Sequence, residues 1–266
     1  DVEPDTGNLD PDALALLVEE RGDIDVIIPV HWGGRPADMK RILSHVCGME
    51  VVVDAAHALG ATDRGVPVGA HFDHLAAFSF QAIKALTTGD GGAVTGNCDE
   101  TENEELRRLR WFGISRDWLV GPLGEREYEL EADAMPGGKH HMNDIAAAVG
   151  LGNLTQFDQW QARRKEIALQ YLERLAGCVS FPPPLAPGNE SSWWLFPVLV
   201  ERRDDFVRAL RSRGVEASVV HRRIDRHPLF GGLRDLPGAV AFDARQANLP
   251  CHPGLSDDDV DAVVAA

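Results

Sequence analysis

The fold is constrained most by an alternation of short, β-rich apolar runs with segments of helical periodicity through the first hundred residues. The apolar runs lie at residues 26–30, 51–53, 75–80 and 92–95. Strands that alternate with helices in this way form a mostly parallel sheet with helices on both faces. We therefore predict an α/β layer here, with crossover helices between its strands.

Helical segments fill the intervals between these runs. Asp10 is a suitable N-cap and Pro11 a suitable first residue for a helix that carries Leu14, Leu17 and Val18 on one face. A second helix is predicted around residues 39–46, and a charged helix at about 100–110. These segments supply the layers that cover the predicted sheet.

The second half of the chain has a different pattern. From Asn143 onward the periodicity predicts a long connecting helix over about 143–176, and four prolines within residues 181–187 then interrupt regular structure. We accordingly predict a large domain at 1–177 and a small α+β domain at 178–266. The small domain should contain strands at 194–200 and 215–220, a helix at 204–213, and a terminal helix capped by Ser256.

Composition excludes several classes of function. The 266 residues include 26 basic and 42 acidic side chains, a formal charge of −16, which does not favour binding to nucleic acid or an anionic membrane. The apolar runs are far shorter than the roughly 18 residues of a membrane helix. The four cysteines are widely spaced and form no metal-binding or redox pair, so we expect reduced thiols and a cytoplasmic protein.

The first residues, DVEPDTGNLDP, have the character of the interior of a longer protein. Residue 1 is not Met, and no charged segment followed by an apolar one marks a signal peptide. We therefore expect that the N-terminal part of the large domain lies upstream of Asp1.

The segment VVVDAAHALG contains the first candidate site, because Asp54 follows three valines and His57 lies three residues later. In open parallel sheets, ligands bind at the carboxyl ends of the strands. A carboxylate there is costly to desolvate unless it meets a cation or several donors. The alternative is structural, since Asp is also a favoured helix N-cap.

The segment AAFSFQAIKALTTGDGG contains the second candidate site. Ser79 ends a buried strand and could hold a phosphate, and Lys84 follows five residues later. A lysine in a partly desolvated pocket loses proton affinity, so that its amine can form a Schiff base with a carbonyl. The alternative is an ordinary solvated surface lysine.

The segment PGGKHHMND is the third candidate site and precedes the helix that Asn143 is expected to cap. Its glycines permit close backbone approach, and Lys139 beside a helix N-terminus suits an anion. Adjacent His140 and His141 raise the alternative of a metal site, although no carboxylate or third ligand accompanies them at a metal-binding spacing.

Together these segments resemble the DegT/DnrJ/EryC1/StrS family, the sugar-nucleotide aminotransferases that use pyridoxal phosphate in the aspartate-aminotransferase fold, fold type I. The resemblance runs almost the whole length of the chain and includes LPCHPGLSDDDVD near its end. It implies an α/β fold with a mostly parallel sheet and a small C-terminal α+β domain.

The resemblance also assigns roles to individual residues. Lys84 falls where the family carries the lysine that bonds the cofactor, and Asp54 where it carries the aspartate that pairs with the pyridine nitrogen. His57 matches the position near the phenolic oxygen of the ring, and Ser79 a serine that contacts the cofactor phosphate. Lys139 stands where the family usually has an Asn that reaches the cofactor phosphate of the neighbouring subunit, so a homodimer with shared sites is implied.

The implied reaction converts a nucleotide-linked ketosugar to an aminosugar, with glutamate as the amino donor, for cell-surface polysaccharide or secondary-metabolite synthesis. Family members that dehydrate sugars carry His instead of the lysine, so Lys84 favours transamination. His221 and His227 are candidate substrate contacts. Two alternatives stay open: a non-catalytic or truncated member that binds cofactor or sugar without turnover, and a generic α/β binding domain.

Overall fold

The computed structural model describes residues 1–71, 74–96, 98–115, 119–127 and 135–266. Its helices are α1 (Pro11–Glu20), α2 (Met39–Ser44), α3 (Glu100–Leu109), α4 (Asp144–Leu154), α5 (Phe157–Arg174), α6 (Arg203–Ser212), α7 (Pro237–Arg245) and α8 (Asp257–Ala265). Its strands are β1 (Val26–Ile27), β2 (Glu50–Asp54), β3 (Thr62–Asp63), β4 (Val66–Pro67), β5 (Leu75–Ser79), β6 (Gly92–Thr95), β7 (Leu119–Val120), β8 (Arg126–Glu127), β9 (Phe196–Leu199) and β10 (Gln246–Leu249).

The main sheet has four strands in the order β1-β2-β5-β6. The strands β1, β2 and β5 are parallel, and Asp54 on β2 stands opposite Ala77 on β5. These three strands confirm the predicted parallel layer. The fourth strand, β6, is antiparallel to β5, because residues 80–91 connect them by a short turn and form no crossover helix.

A first hydrophobic core lies between this sheet and the first two helices. Leu14 on α1, Met39 and Ile42 on α2, and Val53 on β2 are buried together there. The start of α1 is the predicted one, since the Asp10 side chain accepts a hydrogen bond from the Asp12 N–H and Pro11 is the first helical residue.

A second core occupies the C-terminal part of the chain, where β9 and β10 pair antiparallel. Ile167 and Tyr171 on α5 pack there with Phe196 and Val260. The Tyr171 hydroxyl donates to the Pro250 carbonyl (3.0 Å). This core therefore includes side chains from before residue 178, and the domain boundary at that residue remains a prediction.

The single helix expected over 143–176 is two helices, α4 and α5. The Thr155 hydroxyl donates to the Gly152 carbonyl (2.7 Å), and the Gln156 N–H donates to the Asn153 carbonyl (3.1 Å). These bonds close α4 with a tight turn, so periodicity alone overestimated the continuity of the helix. None of the helices that the structure describes has both the length and the apolar composition to cross a membrane.

The strand expected at 215–220 is not formed as a ladder. This segment meets β10 through a single bridge between Ser218 and Asn248. The Val220 carbonyl accepts instead from the side-chain amide of Gln246 (2.9 Å). A side chain of β10 therefore takes the place of the next backbone hydrogen bond.

Candidate active site

Two candidate residues meet at one edge of the main sheet. Asp54 ends β2 and Ser79 ends β5, and these strands are adjacent and parallel. Their carboxyl ends therefore open on the same edge, where open α/β sheets bind ligands. Both residues are half-buried.

The Asp54 carboxylate does not cap a helix, because a turn rather than a helix follows β2. Its Oδ1 accepts a hydrogen bond from the Ala56 N–H (3.0 Å), which stabilises that turn. The Asp54 backbone carbonyl accepts from the His31 N–H (3.0 Å). The helix-cap alternative is therefore wrong, and the carboxylate remains available to a ligand at the sheet edge.

Lys84 is a half-buried side chain in the turn after β5. Its backbone N–H donates to the Gln81 carbonyl (2.9 Å), and its Nζ lies 4.3 Å from the centre of the Trp194 ring. Burial lowers the pKa of the Lys84 amine, while the nearby Asp54 charge acts in the opposite direction. This environment does not match the alternative of a solvated surface lysine.

His57 has a fixed tautomer. Its Nδ1 accepts a hydrogen bond from the Gly33 N–H (3.2 Å), so the ring proton is carried by Nε2, which is a donor. Burial, followed by the charges of Lys84 and His221, lowers the pKa of His57 to about 3. The ring therefore stays neutral at physiological pH and offers one N–H to a ligand.

The Ser79 hydroxyl accepts one hydrogen bond within its own turn. Its Oγ accepts a hydrogen bond from the Gln81 N–H (3.3 Å). A hydroxyl that accepts this bond can still donate its proton, which suits contact with a phosphate oxygen. The Gln81 side chain in turn accepts from the Ile83 N–H (3.0 Å), so the turn between Ser79 and Lys84 is internally bonded.

The two candidate substrate contacts, His221 and His227, differ in their distance from the other candidates. His221 lies 5.7 Å from His57 between ring centres, with the two rings parallel. His227 is exposed between two short 3₁₀ turns, and no contact joins it to the other candidates in the described ranges.

Lys139 is exposed and borders a separate open cavity of about 1000 Å³. This cavity lies on the side of β5 and β6 that also carries Arg107, Arg110, His140 and His141. The structure therefore brings Asp54, His57 and Lys84 within electrostatic reach of one another, with Ser79 at the end of the adjacent strand, whereas Lys139 lines the cavity beside β5 and β6. The described residues contain no group of His, Cys, Asp and Glu placed to hold a metal ion.

Sequence reasoning missed the role of segment 192–195. This segment crosses the turn at residues 33–34, the turn after β2 and the turn after β5. The Ser192 hydroxyl donates to the His57 carbonyl (2.7 Å), and the Leu195 N–H donates to the Gly33 carbonyl (3.0 Å). The Trp194 ring stacks on His57 at 3.8 Å between ring centres. The sequence places Trp194 at the start of the strand predicted at 194–200, whereas β9 begins at Phe196, and this pattern gives no indication of a contact so distant in the chain.

Gly33 and Gly34 make this crossing possible. Both have positive φ angles, 65° and 93°, which favour glycine. A Cβ on Gly34 would stand 2.0 Å from Ser192 Oγ and 2.9 Å from the His57 carbonyl oxygen. The backbone approach that fixes His57 therefore requires glycine at this position.

His31, which precedes this turn, makes stability depend on pH. Its side chain is 1% exposed, its Nδ1 accepts from the Ala37 N–H (3.1 Å), and burial lowers its pKa to about 3. The unfolded chain then binds a proton below about pH 6.5 that the folded chain does not bind. The stabilisation is complete above that pH and is lost progressively as the pH falls toward 3.

We expect the contribution of His31 to the free energy of unfolding to fall by about 2 kcal/mol between pH 7.5 and pH 5. Urea titrations across this range measure it. Replacement of His31 with Gln should reduce the slope, whereas His252→Asn, a change at an exposed histidine, should leave the slope unchanged. Equal slopes in the wild type and the His31 variant would contradict the prediction.

Comparison with known proteins gives consistent results. The sequence profile of the DegT/DnrJ/EryC1/StrS aminotransferase family matches residues 1–266. The spore coat polysaccharide biosynthesis protein SpsC of Bacillus subtilis is 34% identical over 285 residues, which cover 100% of this chain and 71% of SpsC.

Two solved structures show the same fold. The sugar aminotransferase CalS13 from Micromonospora echinospora matches with a TM-score of 0.90 and 34% identity, over 100% of this chain and 72% of that one. The aminotransferase TlmJ from Streptoalloteichus hindustanus matches with a TM-score of 0.85 and 31% identity, over 100% and 70%. These matches confirm the expected fold class, and the chain belongs to the DegT/DnrJ/EryC1/StrS aminotransferase family.

Proposed function

We propose that this protein is a pyridoxal-phosphate-dependent aminotransferase that converts a nucleotide-linked ketosugar to an aminosugar, with glutamate as the amino donor. One observation carries the proposal. The Lys84 amine, whose pKa is lowered by burial, lies within electrostatic reach of the Asp54 carboxylate at the ligand-binding edge of the sheet. The sugar class is supported by CalS13, a sugar aminotransferase, and by SpsC, a polysaccharide biosynthesis protein.

The residues present fit pyridoxal phosphate. The Lys84 amine can bond its aldehyde, and the Asp54 carboxylate can pair with its ring nitrogen. The His57 Nε2–H can donate to its phenolic oxygen, and the Ser79 hydroxyl can donate to its phosphate. When bound, the cofactor supplies an electron sink for the charge that develops on the substrate carbon as a proton leaves.

Asp54, Lys84 and His57 have separate roles in the proposed reaction. The Asp54 carboxylate keeps the ring nitrogen protonated by its negative charge. The Lys84 amine takes the proton from the substrate carbon, and its lowered pKa increases the neutral fraction that can act as a base near pH 7. His57, which stays neutral, holds the ring in place without adding a positive charge beside Lys84.

The proposal includes a homodimer in which Lys139 reaches the cofactor phosphate of the neighbouring subunit. The surface of α4, directly after the Lys139 loop, supports it. Ile145 is 80% exposed and Leu151 is 67% exposed there, and Leu154 and Val149 are also exposed. Four exposed apolar side chains on one helix mark it as an interaction surface, and a second copy of the chain would cover it.

We expect the double variant Ile145→Glu, Leu151→Glu to be monomeric at micromolar concentration, because buried carboxylates oppose association. Light scattering coupled to size exclusion measures the mass. The matched control is Leu16→Glu, at an exposed leucine on α1, which should remain dimeric. A wild type that is already monomeric would contradict the proposed assembly.

The cofactor proposal is tested by mixing the purified chain with pyridoxal phosphate and recording the visible spectrum before and after borohydride reduction. Peptide mass spectrometry then locates the reduced adduct. We expect the adduct on Lys84 and an absorbance band that disappears on reduction. An adduct on other lysines alone, from a folded protein, would contradict the assignment.

Turnover separates this function from the alternative of a non-catalytic member of the fold. Glutamate is added to the cofactor-loaded protein, and formation of 2-oxoglutarate is followed. A protein that carries the adduct on Lys84 but yields no 2-oxoglutarate from glutamate, and no other keto acid from other amino acids, would be a binding protein rather than an aminotransferase.

A further inference from the structure

Trp194 contacts two of the candidate residues, Lys84 and His57, and the backbone of the residue before Lys84. Its ring centre lies 4.3 Å from Lys84 Nζ, and its ring stacks on the His57 imidazole at 3.8 Å with an interplanar angle of 21°. Its indole N–H donates to the carbonyl of Ile83, the residue before Lys84 (3.0 Å). The indole is therefore fixed to the backbone of the lysine turn while its ring contacts the lysine amine.

The contacts have complementary effects on Lys84. An ammonium over an aromatic face is attracted by the negative charge of the π system. The hydrogen bond to Ile83 fixes the distance between the ring and the turn, and the stacked imidazole restricts rotation of the indole. The flexible Lys84 side chain, with its four methylene groups, is thereby confined to positions next to the Trp194 ring.

We propose that Trp194 is a positioning residue for Lys84: its ring holds the amine near Asp54 whenever the amine is not covalently bonded. This inference rests on the proposed function, in which the amine is released and re-bonded in each cycle. The indole gives the free amine a defined position from which it can act on the substrate and return to the cofactor.

The charged groups that face the amine determine how its removal can be measured. Asp54, at the end of β2, favours the ammonium, whereas burial opposes it. His57, on the turn after β2, is neutral, and His221 lies beyond it. If the ring is replaced with an apolar side chain that keeps water out, the ammonium loses one of its two stabilising contacts and the pKa of Lys84 falls further.

The test is competitive acetylation of the cofactor-free protein from about pH 6 to about pH 11, a range that spans amine titration. Peptide mass spectrometry measures labelling of Lys84 relative to Lys165, an exposed lysine paired with Glu190. We expect Trp194→Leu to lower the midpoint of Lys84 labelling by about 0.5 pH unit. Trp194→Phe, which keeps an aromatic face but lacks the indole N–H, should give a midpoint between those of the wild type and Trp194→Leu.

Trp193→Phe is the matched control, because Trp193 packs against Phe196 in the second core and should leave the midpoint unchanged. Trp194→Met is a second non-aromatic variant if the leucine variant does not fold by circular dichroism. An unchanged or raised midpoint in a folded non-aromatic variant would overturn the inference, and so would a midpoint in Trp194→Phe no higher than that in Trp194→Leu.

The two proposals fail separately. Absence of a borohydride-trapped adduct on Lys84 in the wild type would overturn the proposed function. The labelling midpoint is measured without cofactor, so it reports the contact between Trp194 and Lys84 in either case.

Discussion

We expect turnover to fall by at least about 10³-fold when Lys84 is replaced with alanine, because in the proposed mechanism its amine both bonds the cofactor and transfers the proton. The aminotransferase assay with glutamate measures the loss. No borohydride adduct should be found at position 84, although the variant should fold, since the Lys84 side chain is only half-buried and the backbone N–H of residue 84, which bonds to the Gln81 carbonyl, is kept.

Lys165→Ala is the matched control. Lys165 lies on α5 and forms an ion pair with Glu190 (2.9 Å), with about half of each side chain exposed. Such surface pairs contribute little to stability, so activity should be retained. If the Lys84 variant keeps wild-type aminotransferase activity, Lys84 is not the catalytic lysine and the proposed function fails with it.

The second large effect is expected for Asp54→Asn, which should lower kcat by roughly 10²- to 10³-fold, the usual result of removing one preorganised electrostatic contact in an active site. Asparagine keeps an oxygen that can accept from the Ala56 N–H, so the turn after β2 is preserved and only the charge is lost. Some cofactor should still bind, because Lys84 and Ser79 are unchanged.

A second readout of this variant is the pH at which the Lys84 amine is labelled. The Asp54 charge favours the ammonium, so its removal should move the midpoint of labelling to lower pH. Asp10→Asn is the control, because Asn caps α1 as well as Asp does. An unchanged kcat in Asp54→Asn would mean that Asp54 has only a structural role.

The elements that the sequence predicted well are those determined by local pattern. The strands β2, β5 and β6 lie within one residue of their predicted bounds, because each is a short apolar run bounded by polar or glycine residues. The caps of α1 and α8 were also predicted, since Asp10 and Ser256 bond to backbone N–H groups within the first turn.

Apart from the break between α4 and α5, which local hydrogen bonds produce, the errors arise where tertiary contacts override local pattern. The strand expected at 215–220 depends on whether β10 offers backbone or side-chain groups, and Gln246 offers its amide. The contact of Trp194 with Lys84 was not predicted for the same reason, because it joins segments on opposite sides of the proline-rich stretch. Periodicity does not indicate which distant residues come into contact. The sequence therefore predicted the site residues that lie within motifs, but not Trp194.

The crossing of segment 192–195 over the glycine turn has a consequence for when the site can form during synthesis. The hydrogen bond from Ser192 to His57 joins residues 135 positions apart, and the bond from Trp194 to Ile83 joins residues 111 positions apart. Contacts between such distant residues form late in folding, because the loop between them must close first. A nascent chain that has emerged from the ribosome only as far as Lys84 therefore has the lysine but not the ring that contacts its amine, and the site is complete only after segment 192–195 has docked beside it.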